Sequence, residues 1–337
     1  MEITGAGRLE VRINHLDQGK RVSIRRLVDP AAGGGTFTDV VGVLASWDDG
    51  VLLITKKSGE TVAVPESSLV AGKVVPPAPA RRRGPAADFA ELSRVTARAW
   101  RPVESARLGD WELRAAGGFT RRANSALAVG DPGLPPAEAL ERVRAWYAER
   151  GLPPYVQAAT GAVGTQETLC AVLETHGWTR EVTAEVRIAA LAPLADREPA
   201  GAALSRVALS RTADEAWLRR YQRAGEASPT VRRVLASGPS VWFASVPGAP
   251  GDSGEPAAIG RLVVDGRWAG FMALEVAPAH RRQGLAGAVT TALARRALEE
   301  GASAAWLQVE TDNEGARALY DGLGFTTHHS YHHFRAP

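Results

Sequence analysis

The chain has 337 residues, 45% of them hydrophobic and 23% charged, so it can bury a sizeable core and its length predicts two or three units. Its 40 basic and 37 acidic residues leave a net charge of +3, too balanced to indicate a nucleic-acid partner, although a pI of about 9.2 suits an acidic cofactor. A single cysteine, Cys170, excludes an intrachain disulfide and a cysteine metal cluster and reads as a buried structural thiol. Met1–Gly5 lacks a signal-like pattern and no apolar run approaches the roughly 18 residues that span a bilayer. A cytoplasmic protein without a membrane partner is the expectation.

Residues 1–76 read as short strands at Leu9–Ile13, Arg21–Leu27, Val40–Ser46, Val51–Thr55 and Thr61–Val64. Turn signals at Gly33–Gly35, Asp48–Gly50 and Ser58–Gly59 separate them, and this spacing predicts a small β-barrel. Residues 77–87 combine proline with Arg81, Arg82 and Arg83 and read as an extended, solvated linker.

Residues 88–192 mix helices and strands. Pro135 and Pro136 open a helix that runs to about Glu149, with Gly151 past its end. A strand at Tyr155–Ala158, a helix at Gln166–Thr175 stopped by Gly177, and a strand over 178–190 follow. Trp100, Trp111 and Trp146 read as core residues.

Residues 203–337 predict a strand at Ser205–Ser210, a helix at Ala213–Ala224, and strands at Ser240–Ser245, Ala257–Val264 and Trp268–Val276. A helix over 284–300, a strand at Ala304–Glu310, a helix at Glu314–Gly322 and a last strand from Phe325 complete an α+β or mixed α/β unit. Leu169–Trp178 and Leu319–Phe325 echo each other as short helices ended by glycine and an aromatic, which suggests two related units in tandem.

The chemistry-bearing stretch is Phe271–Ala288. A strand ends near Val276, Pro278 halts ladder pairing, and a turn of small residues enters a helix. Free N–H groups and the helix dipole make that entry an anion cradle. Gly284, Ala286 and Gly287 admit an anion to the backbone, and Arg281 and Arg282 add positive charge.

Arg281-x-x-Gly284-x-Ala286 resembles the Arg/Gln-x-x-Gly-x-Gly/Ala signature of the GNAT family of N-acetyltransferases. Trp306–Glu310, Asn313 and Ala318–Phe325 follow at the family's spacing, and the resemblance covers about 203–337. It implies a GNAT fold in this unit, with acetyl-CoA lying between two splayed strands. The backbone of Leu274, Glu275 and Val276 would pair with the pantetheine arm. Amides from Arg282 through Gln283, Gly284, Leu285 and Ala286 to Gly287 would hold the pyrophosphate beside Arg281. Asn313 matches the position that contacts the cofactor arm, and Tyr320 matches the tyrosine near the thioester sulfur, a proton donor to the leaving thiolate. Gln308 stands where some relatives carry a glutamate base, and Gly270 stands where others do, so the base is open. Strand alternation puts Glu275 on the opposite face from Leu274 and Val276.

The middle unit lacks the signature and reads as a degenerate GNAT-like copy that shapes the acceptor pocket. The whole chain also resembles bacterial histone-acetyltransferase-like proteins with an SH3-like N-terminal domain, which makes residues 1–76 an SH3-like barrel and suggests a lysine-rich protein acceptor. His328, His329, His332 and His333 read as solvated edge-strand residues, with the acceptor pocket as the alternative and no metal site. The function expected is acetyl transfer from acetyl-CoA to a primary amine, of a protein lysine or a small molecule, by direct attack. The alternative is a non-catalytic CoA-binding sensor or scaffold recruited through the barrel.

Overall fold

The computed structural model describes residues 10–27, 37–75, 85–198, 201–248 and 254–337. The Gly33–Gly35 turn and most of the Pro/Arg linker lie outside the described residues.

The first sheet contains β1 (Arg21–Leu27), β2 (Phe37–Asp48), β3 (Val51–Lys56), β4 (Thr61–Pro65) and β5 (Leu69–Val74), in the order β4-β3-β2-β1-β5. Alternating residues such as Val22, Ile24, Leu52 and Ile54 are fully buried, the period-two pattern of a one-sided sheet. The predicted barrel is not closed among the described residues, because β5 pairs with β1 and not with β4. Local turn signals count strands, but closure depends on pairing between the ends of the segment. The strand expected at Leu9–Ile13 reduces to one bridge, Val11 to Gly72, before a short 3-10 turn capped by Asn14.

The second sheet is eleven-stranded, in the order β11-β12-β13-β14-β15-β10-β16-β9-β8-β7-β6. Its first half supplies β6 (Glu104–Leu108), β7 (Trp111–Ala115), β8 (Ala126–Leu127), β9 (Tyr155–Thr160) and β10 (Thr179–Ala190), with α1 (Phe89–Arg98), α2 (Pro136–Ala148) and α3 (Glu167–Thr175). A short α4 (Ala192–Ala195) leads into β11 (Ala208–Ser210), α5 (Glu215–Arg220) and α6 (Pro229–Leu235). Then come β12 (Ser240–Val246), β13 (Ala258–Asp265), β14 (Trp268–Val276), α7 (Leu285–Glu299), β15 (Ala304–Glu310), α8 (Glu314–Gly322) and β16 (Thr326–Arg335).

Strands β6-β7-β8-β9 repeat the pattern of β12-β13-β14-β15, each set ending in a parallel pair. The halves exchange their last strands. β10 pairs with β15, and β16 lies between β10 and β9. This exchange corrects the edge-strand reading of the histidines. β16 has a neighbour on both sides, and His329, His332 and His333 are 3% exposed or less. Burial, with the Arg180 charge nearby, lowers the His332 pKa to about 3, and the neutral imidazole meets the Thr160 and Thr183 hydroxyls.

Helix α7 buries Leu285, Val289, Leu293 and Ala297 at helical spacing, against β12, β13 and β14, and each large side chain contributes about 2 kcal/mol. Gly301, at φ +88°, ends it, with the Ala302 N–H returning to the Ala297 carbonyl. On the other sheet face Trp217, Val231 and Val234 join Phe89 and Leu92 in one core. The single helix expected over Ala213–Ala224 is broken at Tyr221, whose ψ of +86° leaves the helical region. That break turns the Gln222 N–H and the Arg223 side chain toward β14 and β15.

Candidate active site

Strands β14 and β15 pair only over Trp268–Phe271 and Ala304–Leu307. Two residues further, Ala273 takes a left-handed φ of +51°. There Ala273 and Leu274 together oppose the single Gly260 of β13, which is a β-bulge. Gly260 suits that place, because an added Cβ would lie 2.6 Å from a Val289 methyl. Bulges bend the strand that carries them, and here the bend coincides with the parting of β14 from β15. Beyond it, Leu274 and Val276 pack into the α7 core, while Glu275 points to the other face and accepts the Gln222 N–H at 3.2 Å.

The exit from β14 is a 3-10 turn, Pro278–His280, followed by Arg282 at φ +62° and Gly284 at φ +76°. Gly284 caps α7 without a side chain, and no heavy atom lies within 4 Å of a Cβ built on Gly284 or Gly287. The N–H groups of 282–287 find no backbone acceptor among the described residues. A helix start with open amides, small residues and two exposed arginines is an anion-binding geometry.

Two hollows flank α8. One, of about 230 Å³, occupies the gap between β14 and β15, and Leu274, Glu275, Gln308, Asn313 and Tyr320 line it. The other, of about 400 Å³, lies between the start of α7 and α8, lined by Gly284, Gly287, Thr291 and Leu319. The sequence-predicted residues therefore fall into four groups. Leu274, Glu275, Asn313 and Tyr320 share the first hollow, and Gly284 and Gly287 share the second. Arg281, Arg282 and Gln283 stand exposed on the turn between them, whereas the Val276 and Leu285 side chains face the core and leave only their backbone for a ligand.

Asn313 has a structural task as well. Its Oδ1 caps α8 by accepting the Ala316 N–H at 3.1 Å. Tyr320 packs edge-on against Phe325, and no group among the described residues hydrogen bonds its hydroxyl. Burial pushes its pKa up to about 12, opposed by the Arg187 charge, so it stays protonated at neutral pH. Burial also raises the Glu275 carboxyl, against the Gln222 amide and the Arg223 and Arg220 charges. Glu310, the other carboxylate on the gap, is ion-paired to Arg223 at 3.0 Å. Gln308 lines the gap and cannot take a proton.

Sequence reasoning missed Trp100, Arg122, Tyr221 and Arg223 on this gap. Trp100 is core, as expected, yet its ring also borders the hollow. No local pattern marks the others. Arg122 comes from a turn in the first half of the sheet, far away in sequence.

Antiparallel strands leading to one diverging parallel pair, with an amide-lined turn into the following helix, define a GNAT-type fold. A GCN5-related N-acetyltransferase from Kribbella flavida shares it, at TM-score 0.53 and 21% identity, over 74% of this chain and 95% of that one. A tandem GNAT protein from the clavulanic acid biosynthesis pathway matches at TM-score 0.50 and 14% identity, over 77% of this chain and 91% of that one. The chain belongs to the family described as probable histone acetyltransferase Rv0428c, C-terminal, whose model matches residues 86–334. Residues 16–73 match the Rv0428c N-terminal Sm-like domain, so the first sheet is Sm-like and the SH3-like expectation is corrected. The probable histone acetyltransferase Rv0428c of Mycobacterium tuberculosis is 27% identical over 315 residues, 92% of this chain and 93% of that protein. The chain is a GNAT-type acetyltransferase with an N-terminal Sm-like unit.

Proposed function

We propose that the chain transfers an acetyl group from acetyl-CoA to a primary amine by direct attack. The carrying observation is the parting of β14 from β15 beyond Phe271 and Leu307, with Tyr320 at the opening and open amides at the start of α7.

The residues present fit such a donor. The amides of 282–287 and the vacant Cβ positions of Gly284 and Gly287 suit a pyrophosphate, with Arg281 and Arg282 beside it. The unpaired edge of β14 at Leu274, Glu275 and Val276 offers ladder hydrogen bonds to an extended amide-bearing arm. Asn313, with Oδ1 used in the cap, keeps its Nδ2 for the same arm. When bound, acetyl-CoA supplies an activated acyl carbon and a thiolate leaving group.

The protein then has two proton tasks. The amine must be neutral to attack, and the departing sulfur gains from a proton. Tyr320, protonated at neutral pH, donates to the sulfur. Glu275 accepts from the amine. It is in no ion pair among the described residues, and a carboxyl raised by burial is a stronger base than an ordinary one. A β14 N–H facing the gap polarises the acyl carbonyl as charge develops on oxygen.

Thiol release from acetyl-CoA, measured against a panel of primary amines, tests this reading. Tight CoA binding with no release for any amine would overturn it and leave a CoA-binding sensor or scaffold.

A further inference from the structure

A third hollow, of about 310 Å³, adjoins the β14–β15 gap and is built from both halves of the large sheet. Arg122, Tyr221, Arg223 and Glu310 line both spaces. Thr120, Arg121, Tyr331 and His333 belong to the outer one.

Its charges do not cancel. Arg121 pairs with Glu181 at 2.8 Å, and Arg223 pairs with Glu310 at 3.0 Å. Arg122 has no ion pair among the described residues. Its Nε donates to the Tyr331 hydroxyl at 2.9 Å, and its guanidinium lies 5.9 Å from the ring centroids of Trp100 and Tyr331. The side chain is thus held in place while its terminal nitrogens keep their donors.

The loop that presents Arg122 is braced. Thr120 has a φ of +53°, an uncommon conformation for a residue with a Cβ. Buried Asn124 fixes it with four hydrogen bonds, accepting from the Ala116 and Gly118 amides and donating to the Phe119 and Thr120 carbonyls at 2.7–3.0 Å. Strain held by a buried amide network marks a position set for a task beyond packing.

His333 gives a second, independent sign. It is 3% exposed, lines this hollow, and neither ring nitrogen has a partner among the described residues. Burial and the charges of Arg122, Arg114 and Arg121 keep its pKa well below the usual value, so the ring is neutral, with one N–H to donate and one lone pair to accept. Buried polar atoms seldom go unsatisfied, and here a ligand can satisfy them.

We infer that the acceptor is a small amine that carries a carboxylate, its carboxylate held by Arg122 and His333 in the outer hollow and its amine directed into the β14–β15 gap. The inference rests on the acetyl-transfer reading for the fate of the amine, but the pocket stands on its own residues. Glu275 and Glu310 on the gap suit the amine end, and the uncompensated Arg122 suits the acid end. A lysine-rich tail brings further positive charge against Arg122, and like charges disfavour that complex.

Matched amines that differ only in the carboxylate test the assignment on the full chain: lysine and cadaverine, phenylalanine and phenethylamine, leucine and isoamylamine, with a lysine-rich peptide alongside. We expect kcat/KM for thiol release to favour the carboxylated member of at least one pair by about tenfold or more. Arg122→Gln should bring that ratio close to one, and Arg122→Lys should retain most of it. If Arg122→Gln fails to fold by thermal melt, the wild-type ratios and Arg122→Lys still decide. Preference for the decarboxylated amines or for the peptide, or a ratio indifferent to Arg122→Gln, overturns the assignment. Saturation-transfer NMR of the carboxylated amines without acetyl-CoA separates the two readings. Binding abolished by Arg122→Gln, with no thiol release from any amine, would keep this pocket and sink the transfer reading. Transfer without any carboxylate preference would do the reverse.

Discussion

The connection from β14 to α7 and the connection from β8 to α2 hold equivalent places in the two halves of the large sheet. Each follows the strand of a parallel pair, yet they differ in what they leave open. After β14, a left-handed glycine and small residues leave the amides of 282–287 without backbone partners among the described residues. After β8, which is two residues long, the Gly133 N–H goes to Asp131 Oδ1 at 2.8 Å, and the Asp131 N–H goes to Asp110 Oδ2 at 2.9 Å. Pro135 and Pro136 then start α2 and remove two N–H donors where an anion would need them. A carboxylate network and two prolines fill the first half's junction with its own groups. The lesson is that strand order alone does not make an anion site; the donors must also be left unspent.

Substitution of the two glycines should separate the junctions most sharply. Gly284→Glu forces a side chain to φ +76° and brings a carboxylate to the amides, and CoA affinity by calorimetry should fall about a thousandfold or beyond detection. Gly133→Glu, at φ +71° and also in open space, should cost about 1–2 kcal/mol of stability and leave CoA affinity within about twofold. Equal losses of affinity at both positions would erase the contrast.

Tyr320→Phe addresses the chemical end of the same gap. Removing the hydroxyl should lower kcat about a hundredfold while CoA affinity changes less than about twofold. With its pKa at about 12, Tyr320 should give no alkaline limb to the rate profile below about pH 10. An unchanged kcat would remove the donor role.

The seam between the halves offers a smaller effect. His329 and His332 are neutral in the fold, their pKa values lowered to about 3 by burial, next to neighbouring histidines for the first and Arg180 for the second. The unfolded chain binds protons below its ordinary value of about 6.5, so it gains protons first as pH falls. Stability should hold above pH 6.5 and decline below it, by about 2 kcal/mol for each histidine at pH 5. Denaturant midpoints that stay flat from pH 7 to pH 5 would contradict the neutral, buried seam.

Glu275 should give the smallest change in stability. Its carboxyl is raised by burial, so the unfolded chain loses this proton at lower pH than the fold does. The fold is therefore penalised as pH rises through the carboxyl range. Glu275→Gln keeps an acceptor for the Gln222 N–H and should raise Tm at pH 8 by about 1–3 °C, with a fall in kcat if Glu275 is the base. A lower Tm at pH 8 would contradict the burial account.

Local features were legible because they act through neighbours in the chain. Helix α2 starts at its prolines, α7 ends at Gly301, and strands β14 and β15 stand where periodicity placed them. The open turn into α7 was legible for the same reason, since Arg282, Gly284 and Gly287 act through adjacent backbone. The long helix over Ala213–Ala224 was misread because its break at Tyr221 is fixed by contacts with β14 and β15 and not by a local stop signal. The Asn313 cap was open to a reader of helix starts, but its place on the gap was not.

By itself, the sequence determined the glycine-rich turn into α7, the order of elements and the presence of Tyr320 one helix later, all set by spacing within a short stretch. Only the tertiary structure decided that β10 and β16 change places between the halves, that three histidines are buried, and that Arg122, Tyr221 and Glu275 surround one space. Those outcomes depend on pairing between strands far apart in the chain, and sequence spacing carries no record of which strand edge a segment will meet.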